Sequence, residues 1–351
     1  MPLQDDSESN PGRDMPDLAR PDGALVSLRP ESIPVMAECS DWQVGSELLA
    51  RMRAAKEPWQ GSRIGWLGAQ LQFAMRSQLN FHDNRFSTRR YQDLYGTFFV
   101  HPTPRIPLVG ATVVDLGCGG VNPLGFLFVL LGLGARCGIG VDLDDVQDRR
   151  HATLALADAA SALLLNARDI AWDQEIAPEQ VLRNLASFHL PQLAQGDPAG
   201  IDQSRLRFHR ESIYSMPLRD GEADVVISNA FLEHIPDVAA GMREISRITK
   251  SGGYSVHNID MTDHRRYGGD KGPLDFLTEG AGEGMVAGSN RLRLSQLRVL
   301  FDKFGFDITS CRCNFEVAVP AALRARMVQP YSSMAQDDLE VGMAVVAARK
   351  R

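Results

Sequence analysis

Nowhere does the chain approach the ~18 consecutive apolar residues that a membrane-crossing helix needs. Its opening, MPLQDDSESNPGRD, has no apolar stretch of the kind that directs secretion. A cytoplasmic location is therefore the expectation. Cysteine is sparse, and Cys39, Cys118, Cys137, Cys311 and Cys313 form no CxxC pair. That excludes the usual paired-cysteine zinc and redox motifs, and the five are expected to be reduced thiols. Cationic charge is also in short supply, with 37 Lys and Arg against 44 Asp and Glu and a net charge of −7. Binding to duplex nucleic acid is not expected on that balance, because phosphate contacts need a clustered cationic surface. What is present is an ordinary globular composition, 44% hydrophobic and 23% charged. Over 351 residues this can build one large α/β domain with additions, or two modest domains.

Residues 1–40 are rich in Pro, Asp, Ser and Gly and read as a mobile leader. Residues 41–105 carry apolar side chains at helical spacing in SELLARMRAAKEPW and IGWLGAQLQFAMRSQLNF, and read as a helical cap. Its Trp59, Trp66, Phe73 and Tyr91 are expected mainly as core, with Tyr91 and Tyr95 as pocket candidates. From 106 to 351 strands and helices alternate. ATVVDL, RCGIGVDL, LRFHR, ADVVISN and GYSVHNI read as five strands, with helices between most of them. FDITSCRCNFEV and VGMAVVAAR have no obvious helix between them. The expected fold is α/β, a doubly wound and mostly parallel seven-stranded sheet with a C-terminal antiparallel hairpin and the N-terminal helical cap. Insertions near 167–204 and 261–293 exceed the minimal plan, and long insertions of this kind tend to be binding loops or lids.

The strongest local signal is Val113-Val114-Asp115-Leu116-Gly117-Cys118-Gly119-Gly120, an apolar strand ending in an acid and a glycine cluster. Glycines at the carboxyl end of the first strand let the backbone approach a ligand closely, where doubly wound sheets bind nucleotides. Asp142 ends the second strand, placed to accept hydrogen bonds from ribose hydroxyls; the plainer alternative is a loop acid before a helix. A dinucleotide fingerprint would need a third glycine at 122, which is Asn122, so NAD falls behind.

In their order and spacing, these segments resemble the class I S-adenosylmethionine-dependent methyltransferases over residues 110–260, with weaker continuity beyond. The resemblance implies that Asp115 helps hold the methionyl amine, and that Gly117, Cys118 and Gly119 line the methionine and ribose region. It also implies that Asp142, followed by Leu143, holds the ribose. Ser212 and Ile213 fall where adenine is contacted, and Asn229 falls beside the methionine moiety. Ser212 replaces the acid commonly seen at the adenine position, which leaves the contact there open between Ser212 and Glu211. S-adenosylmethionine is the implied cofactor, with S-adenosylhomocysteine as product.

Methyl transfer mainly demands alignment, and a hydroxyl acceptor also benefits from a general base. The polar run His257–Arg266 after the fifth strand supplies candidates: His264 as base, with Asp260 or Asp263 orienting it or ligating a metal. No residue is committed to a metal. The other reading of the run is a solvated loop whose charges pair internally, and His257 reads as a satisfied core histidine. HNIDMTDHR with PLDFL and NRLR is also similar to a subgroup associated with bacterial surface-glycan and polysaccharide biosynthesis, which implies a small-molecule or glycan acceptor. Arg291 and Arg293 are then candidates for a phosphate contact, or else a solvated helix start. The competing readings are methylation of protein, lipid or RNA, and a catalytically silent cofactor-binding partner subunit.

Overall fold

The computed structural model describes residues 67, 87–269, 271–279, 285 and 288–351. The expected leader and, Leu67 apart, the expected helices over 41–86 with Trp59, Trp66 and Phe73 lie outside the described residues. The described part of the cap is α1 (Thr88–Tyr95), whose Ser87 Oγ accepts the Arg90 N–H at 3.1 Å, followed by a π-helical turn at Gly96–Val100.

The sheet domain then runs β1 (Thr112–Leu116), α2 (Gly125–Gly132), β2 (Cys137–Asp142), α3 (Arg149–Asn166), α4 (Pro178–Asn184), α5 (Leu190–Ala194) and β3 (Leu206–Arg210). It continues with β4 (Ala223–Asn229), α6 (Val238–Ile248), β5 (Thr249–Asp260), α7 (Leu294–Lys303) and β6 (Phe306–Glu316). Two short helices, α8 (Ala321–Arg324) and α9 (Gln336–Glu340), lead to β7 (Val341–Lys350). The seven strands form one sheet in the order β3-β2-β1-β4-β5-β7-β6. β1 to β5 pair in parallel, and β7 runs antiparallel to both β5 and β6. The expected mixed sheet is what forms, with one difference at its end. β6 and β7 are joined by a long excursion instead of a tight turn. Its residues Val319, Met327, Tyr331 and Leu339 pack with Leu274, Phe276 and Leu277 into a second small core.

Burial explains the apolar runs. Val113, Val114 and Leu116 of β1 are fully buried because helices cover both faces of the parallel strands. All eight residues of α2 are buried, enclosed by β2, α1, α3 and α4, so its sequence shows no polar stripe. By contrast α6 buries only one face, through Val238, Met242, Ile245 and Ile248. The 167–204 stretch folds as a helical layer over α2 and α3. Its Val181, Leu185, Phe188 and Leu193 are buried, and Phe188 meets Phe128 edge-on with ring centroids 5.1 Å apart. Asn184 Nδ2 donates to the Gly132 carbonyl at 2.8 Å, satisfying the end of α2. Among the described residues no helix is long and apolar enough to cross a membrane.

The chain passes outward from β1 through β2 to β3, then returns to place β4 on the other side of β1. That reversal opens a crevice at the carboxyl ends of β1 and β4, the usual ligand position in such sheets.

Candidate active site

The turn after β1 takes its shape from two glycines in the left-handed region, Gly117 at φ +69° and Gly119 at φ +75°. A Cβ on Gly117 would collide with the Phe231 ring, whereas one on Gly119 would project into open space. Gly119 is thus a cradle where backbone is left bare toward a ligand. The turn is pinned to β2: Gly117 N–H donates to the Val141 carbonyl at 2.9 Å, and Gly119 N–H donates to Asp142 Oδ2 at 2.7 Å. Asp142 Oδ1 accepts the Asp144 N–H at 2.9 Å. Each carboxylate oxygen keeps a further lone pair, so Asp142 both ties the turn and can still receive hydroxyl donors. Asp148, not Asp142, caps α3.

A cavity of about 340 Å³ lies against this turn, lined by Arg90, Tyr91, Asp115, Gly117, Cys118, Gly119, Asn122 and Asn229 among others. Burial pushes the Asp115 carboxyl up to about 7, opposed by the Arg90 guanidinium and reinforced by Asp142. Among the described residues no hydrogen bond reaches that carboxyl. The Cys118 side chain turns toward Gly140 of β2, and burial pushes its thiol well up, so backbone is what Cys118 offers the cavity. Asn122 Nδ2 donates to Tyr91 Oη at 3.0 Å, which places α1 on the cavity wall. Tyr95 is engaged elsewhere, accepting from Gln174 Nε2 at 2.6 Å. Asn229 Oδ1 accepts from Asn258 Nδ2 at 3.0 Å, and the next residue, Ala230, is held in the left-handed region at φ +49°.

Leu143, Ser212 and Ile213 do not line the cavity. Leu143 stands 67% exposed just past Asp142. Ile213 is buried in the main core, and Ser212 Oγ accepts the Tyr214 N–H at 3.2 Å.

A second polar group lies past β4 and β5. Glu233 follows β4 and is only 3% exposed; its Oε1 accepts the Asp260 N–H at 3.1 Å, while its Oε2 has no hydrogen-bond partner among the described residues. Burial pushes its carboxyl up to about 8. His264 faces His234 with ring centroids 4.9 Å apart, and its Nε2 lies 3.8 Å from Asp260 Oδ2. Burial lowers the His264 pKa, partly offset by Asp260. One donor atom from each of Glu233, His234 and His264 lies within 4.8 Å of the others. Burial works against the Asp260 charge, but hydrogen bonds from Thr262 and Tyr267 outweigh it and hold the carboxyl below its usual range.

The structure therefore brings His264 and Asp260 together and sets Asp263 apart. Asp263 accepts from Arg265 Nε at 2.8 Å and starts the short helical turn after it. Arg291 and Arg293 are neither open to a phosphate nor a solvated helix start. Arg291 donates to Glu279 at 3.1 Å, and the fully buried Arg293 guanidinium donates to the carbonyls of Met261, Asp338, Leu339 and Val341. His257 is a core histidine, flanked by Ser228 Oγ at 2.7 Å and Ser255 Oγ at 2.6 Å, and burial lowers its pKa to about 3. Sequence reasoning missed Arg90, Asn122 and Glu233 as site residues. Arg90 lies 25 positions before Asp115, with no pattern joining them. Glu233 carried the clearest available signal, an acid beside a histidine directly after a buried strand.

Residues 114–257 match the family described as "Methyltransferase domain". Over that segment the chain is similar to methyltransferase domains. The chain is also similar to solved S-adenosylmethionine-dependent methyltransferases. One from Mesorhizobium loti is 18% identical over 70% of this chain and 94% of that one, with a TM-score of 0.36. One from Methanosarcina mazei is 16% identical over 70% and 94%, with a TM-score of 0.39. A geranyl diphosphate methyltransferase in complex with S-adenosylmethionine is 17% identical over 86% and 95%, with a TM-score of 0.40. No curated protein matches the chain. The bare Gly119 cradle and the desolvated Asp115 carboxyl, lacking a hydrogen-bond donor, fit a ligand that brings an ammonium group to this cavity.

Proposed function

We propose that the protein is an S-adenosylmethionine-dependent methyltransferase that acts on a hydroxyl group of a small molecule or glycan. The observation that supports this is the polar group beyond β4 and β5. A hydroxyl must lose its proton as its oxygen attacks, and a positioned base contributes typically ~10²–10⁴-fold. His264 and Asp260, 3.8 Å apart, lie at and past the end of β5, the strand beside Asn229, and are the polar groups that assist loss of that proton. Asp263 serves Arg265 and has no part in it.

Bound S-adenosylmethionine supplies an electrophilic methyl group on a sulfonium. The chain's own residues hold and orient: Asp115 takes the ammonium, Asp142 the ribose hydroxyls, and the Gly117–Gly119 backbone closes on the ligand. Asn229 flanks the methionine end. A polar acceptor is favoured by a second, open hollow of about 530 Å³ lined by Gln92, Asp93, Gly96, Thr97, His101, Trp172 and Arg312. An aromatic face ringed by hydrogen-bonding groups suits a sugar better than a lipid. α1 joins the two spaces, giving Arg90 and Tyr91 to the cavity and Gln92 and Asp93 to the hollow.

The test is transfer of an isotopically labelled methyl group to panels of sugars, nucleotide sugars, phenols, lipids, peptides and RNA. Methylation at oxygen of a polar hydroxyl compound is expected. His264→Ala should lower kcat at least a hundredfold and leave cofactor affinity within twofold. Transfer to nitrogen or carbon, a lipid or RNA product, or full activity of His264→Ala would overturn the reading.

A further inference from the structure

We propose that Glu233, His234 and His264 hold a divalent transition-metal ion at the acceptor end of the site. Two imidazoles and one carboxylate are a donor set suited to zinc, iron(II) or manganese, and they leave coordination positions open for a substrate oxygen.

Three features of the side chains carry the inference. Glu233 is 3% exposed, yet its Oε2 has no hydrogen-bond partner among the described residues. A buried carboxylate oxygen left without a donor is costly, and a cation satisfies it. His264 Nε2 is likewise buried without a hydrogen-bond partner. On the third member, His234 Nδ1 lies 2.7 Å from the Gly288 carbonyl. A carbonyl only accepts, so Nδ1 carries the proton and Nε2 keeps the lone pair that a metal takes. Fixing a ligand histidine through its other nitrogen is how metal sites set the tautomer.

Bonds of ~2.1 Å at tetrahedral angles put ligand atoms ~3.4 Å apart. The three donors, all within 4.8 Å of one another, need shifts of no more than ~1.4 Å per pair to reach that spacing. Glu233 is fixed by the Asp260 N–H on its other oxygen.

The proposal deepens the hydroxyl-acceptor reading and rests on it for its chemistry. The ion takes the acceptor oxygen as a further ligand, the O–H bond breaks, and the proton passes to solvent. The electron pair left on oxygen forms the new bond to the methyl carbon, and the carbon–sulfur pair returns to sulfur. No oxidant or reductant is needed.

The test uses the full chain, stripped with a chelator and dialysed, and titrated calorimetrically with Zn²⁺ alone. One equivalent should bind at micromolar Kd or tighter, weakened at least tenfold by His234→Ala and by His264→Ala. Glu233→Gln risks the fold, so the exposed His234 gives the deciding variant; its circular dichroism and cofactor affinity should match those of the unmodified chain. A Co²⁺ titration should give visible absorption bands that His234→Ala alters. Absence of saturable binding, or binding that survives both histidine substitutions, overturns the proposal. Because no acceptor is present, that failure is distinct from failure of the hydroxyl reading, under which His264→Ala still loses turnover.

Discussion

Burial raises the Asp115 carboxyl to about 7, with Arg90 opposing and Asp142 reinforcing the rise. Below that pH the group is neutral and a poor partner for an ammonium. Cofactor affinity should therefore increase roughly tenfold from pH 6 to pH 8, since each pH unit below the pKa removes about tenfold of the charged form. Asp115→Asn should abolish that slope and weaken binding at pH 8, both readable by calorimetry. The stability effect has the opposite direction. A carboxyl whose pKa is raised by folding contributes stability below its unfolded value, near 4, and loses that contribution as pH rises through about 7. Asp115→Asn should accordingly raise Tm at pH 8 more than at pH 5. The neighbouring glycines separate shape from space. Gly117→Ala should lower both Tm and cofactor affinity, because its Cβ meets Phe231; Gly119→Ala should cost only the ~1–2 kcal/mol of left-handed strain in stability while blocking the cavity. Asp115 and these glycines stand out in the sequence because they share one short stretch at the end of β1, and Asp142 because it ends β2. Arg90 does not, since only tertiary packing of α1 brings it there, and Asn122, although in the same turn, reads as an ordinary loop residue until Tyr91 packs against it.

At the scale of elements, Arg293 holds three segments with one side chain. Its guanidinium spans the Met261 carbonyl at the end of β5 and the Asp338, Leu339 and Val341 carbonyls where α9 turns into β7. Burial lowers its pKa to about 10, so it stays charged at neutral pH. Arg293→Met should destabilise by ~4 kcal/mol, because several buried carbonyls lose their donors at once. Urea denaturation of the two proteins measures this. Arginine before a helix reads from sequence as surface charge, and nothing local reports that the β6–β7 excursion folds back over it. The strands themselves were readable from their apolar runs, and α2 from its lack of a polar stripe. The helical character of 167–204 was not, because its apolar residues become a pattern only when α2 and α3 supply the facing surface.

Across the whole molecule, the sheet joins two edge strands of different kinds. β6 bears the charged Asp307, Arg312 and Glu316 and bulges near Ile308/Ser310 and Cys313/Phe315, devices that keep an open edge from pairing with another chain. β7 lies inside, between β5 and β6. Removing residues 341–351 should leave β6 without a partner and β5 paired only with β4, and abolish the cooperative urea transition, with circular dichroism as the readout. Of the seven strands, β7 is the last in chain order, and yet it occupies an interior place. On the ribosome, the nascent chain therefore presents β5 as an unpaired edge while β6 and the excursion after it are still emerging. That edge stays open until Val341–Lys350 clear the exit tunnel and pair with it.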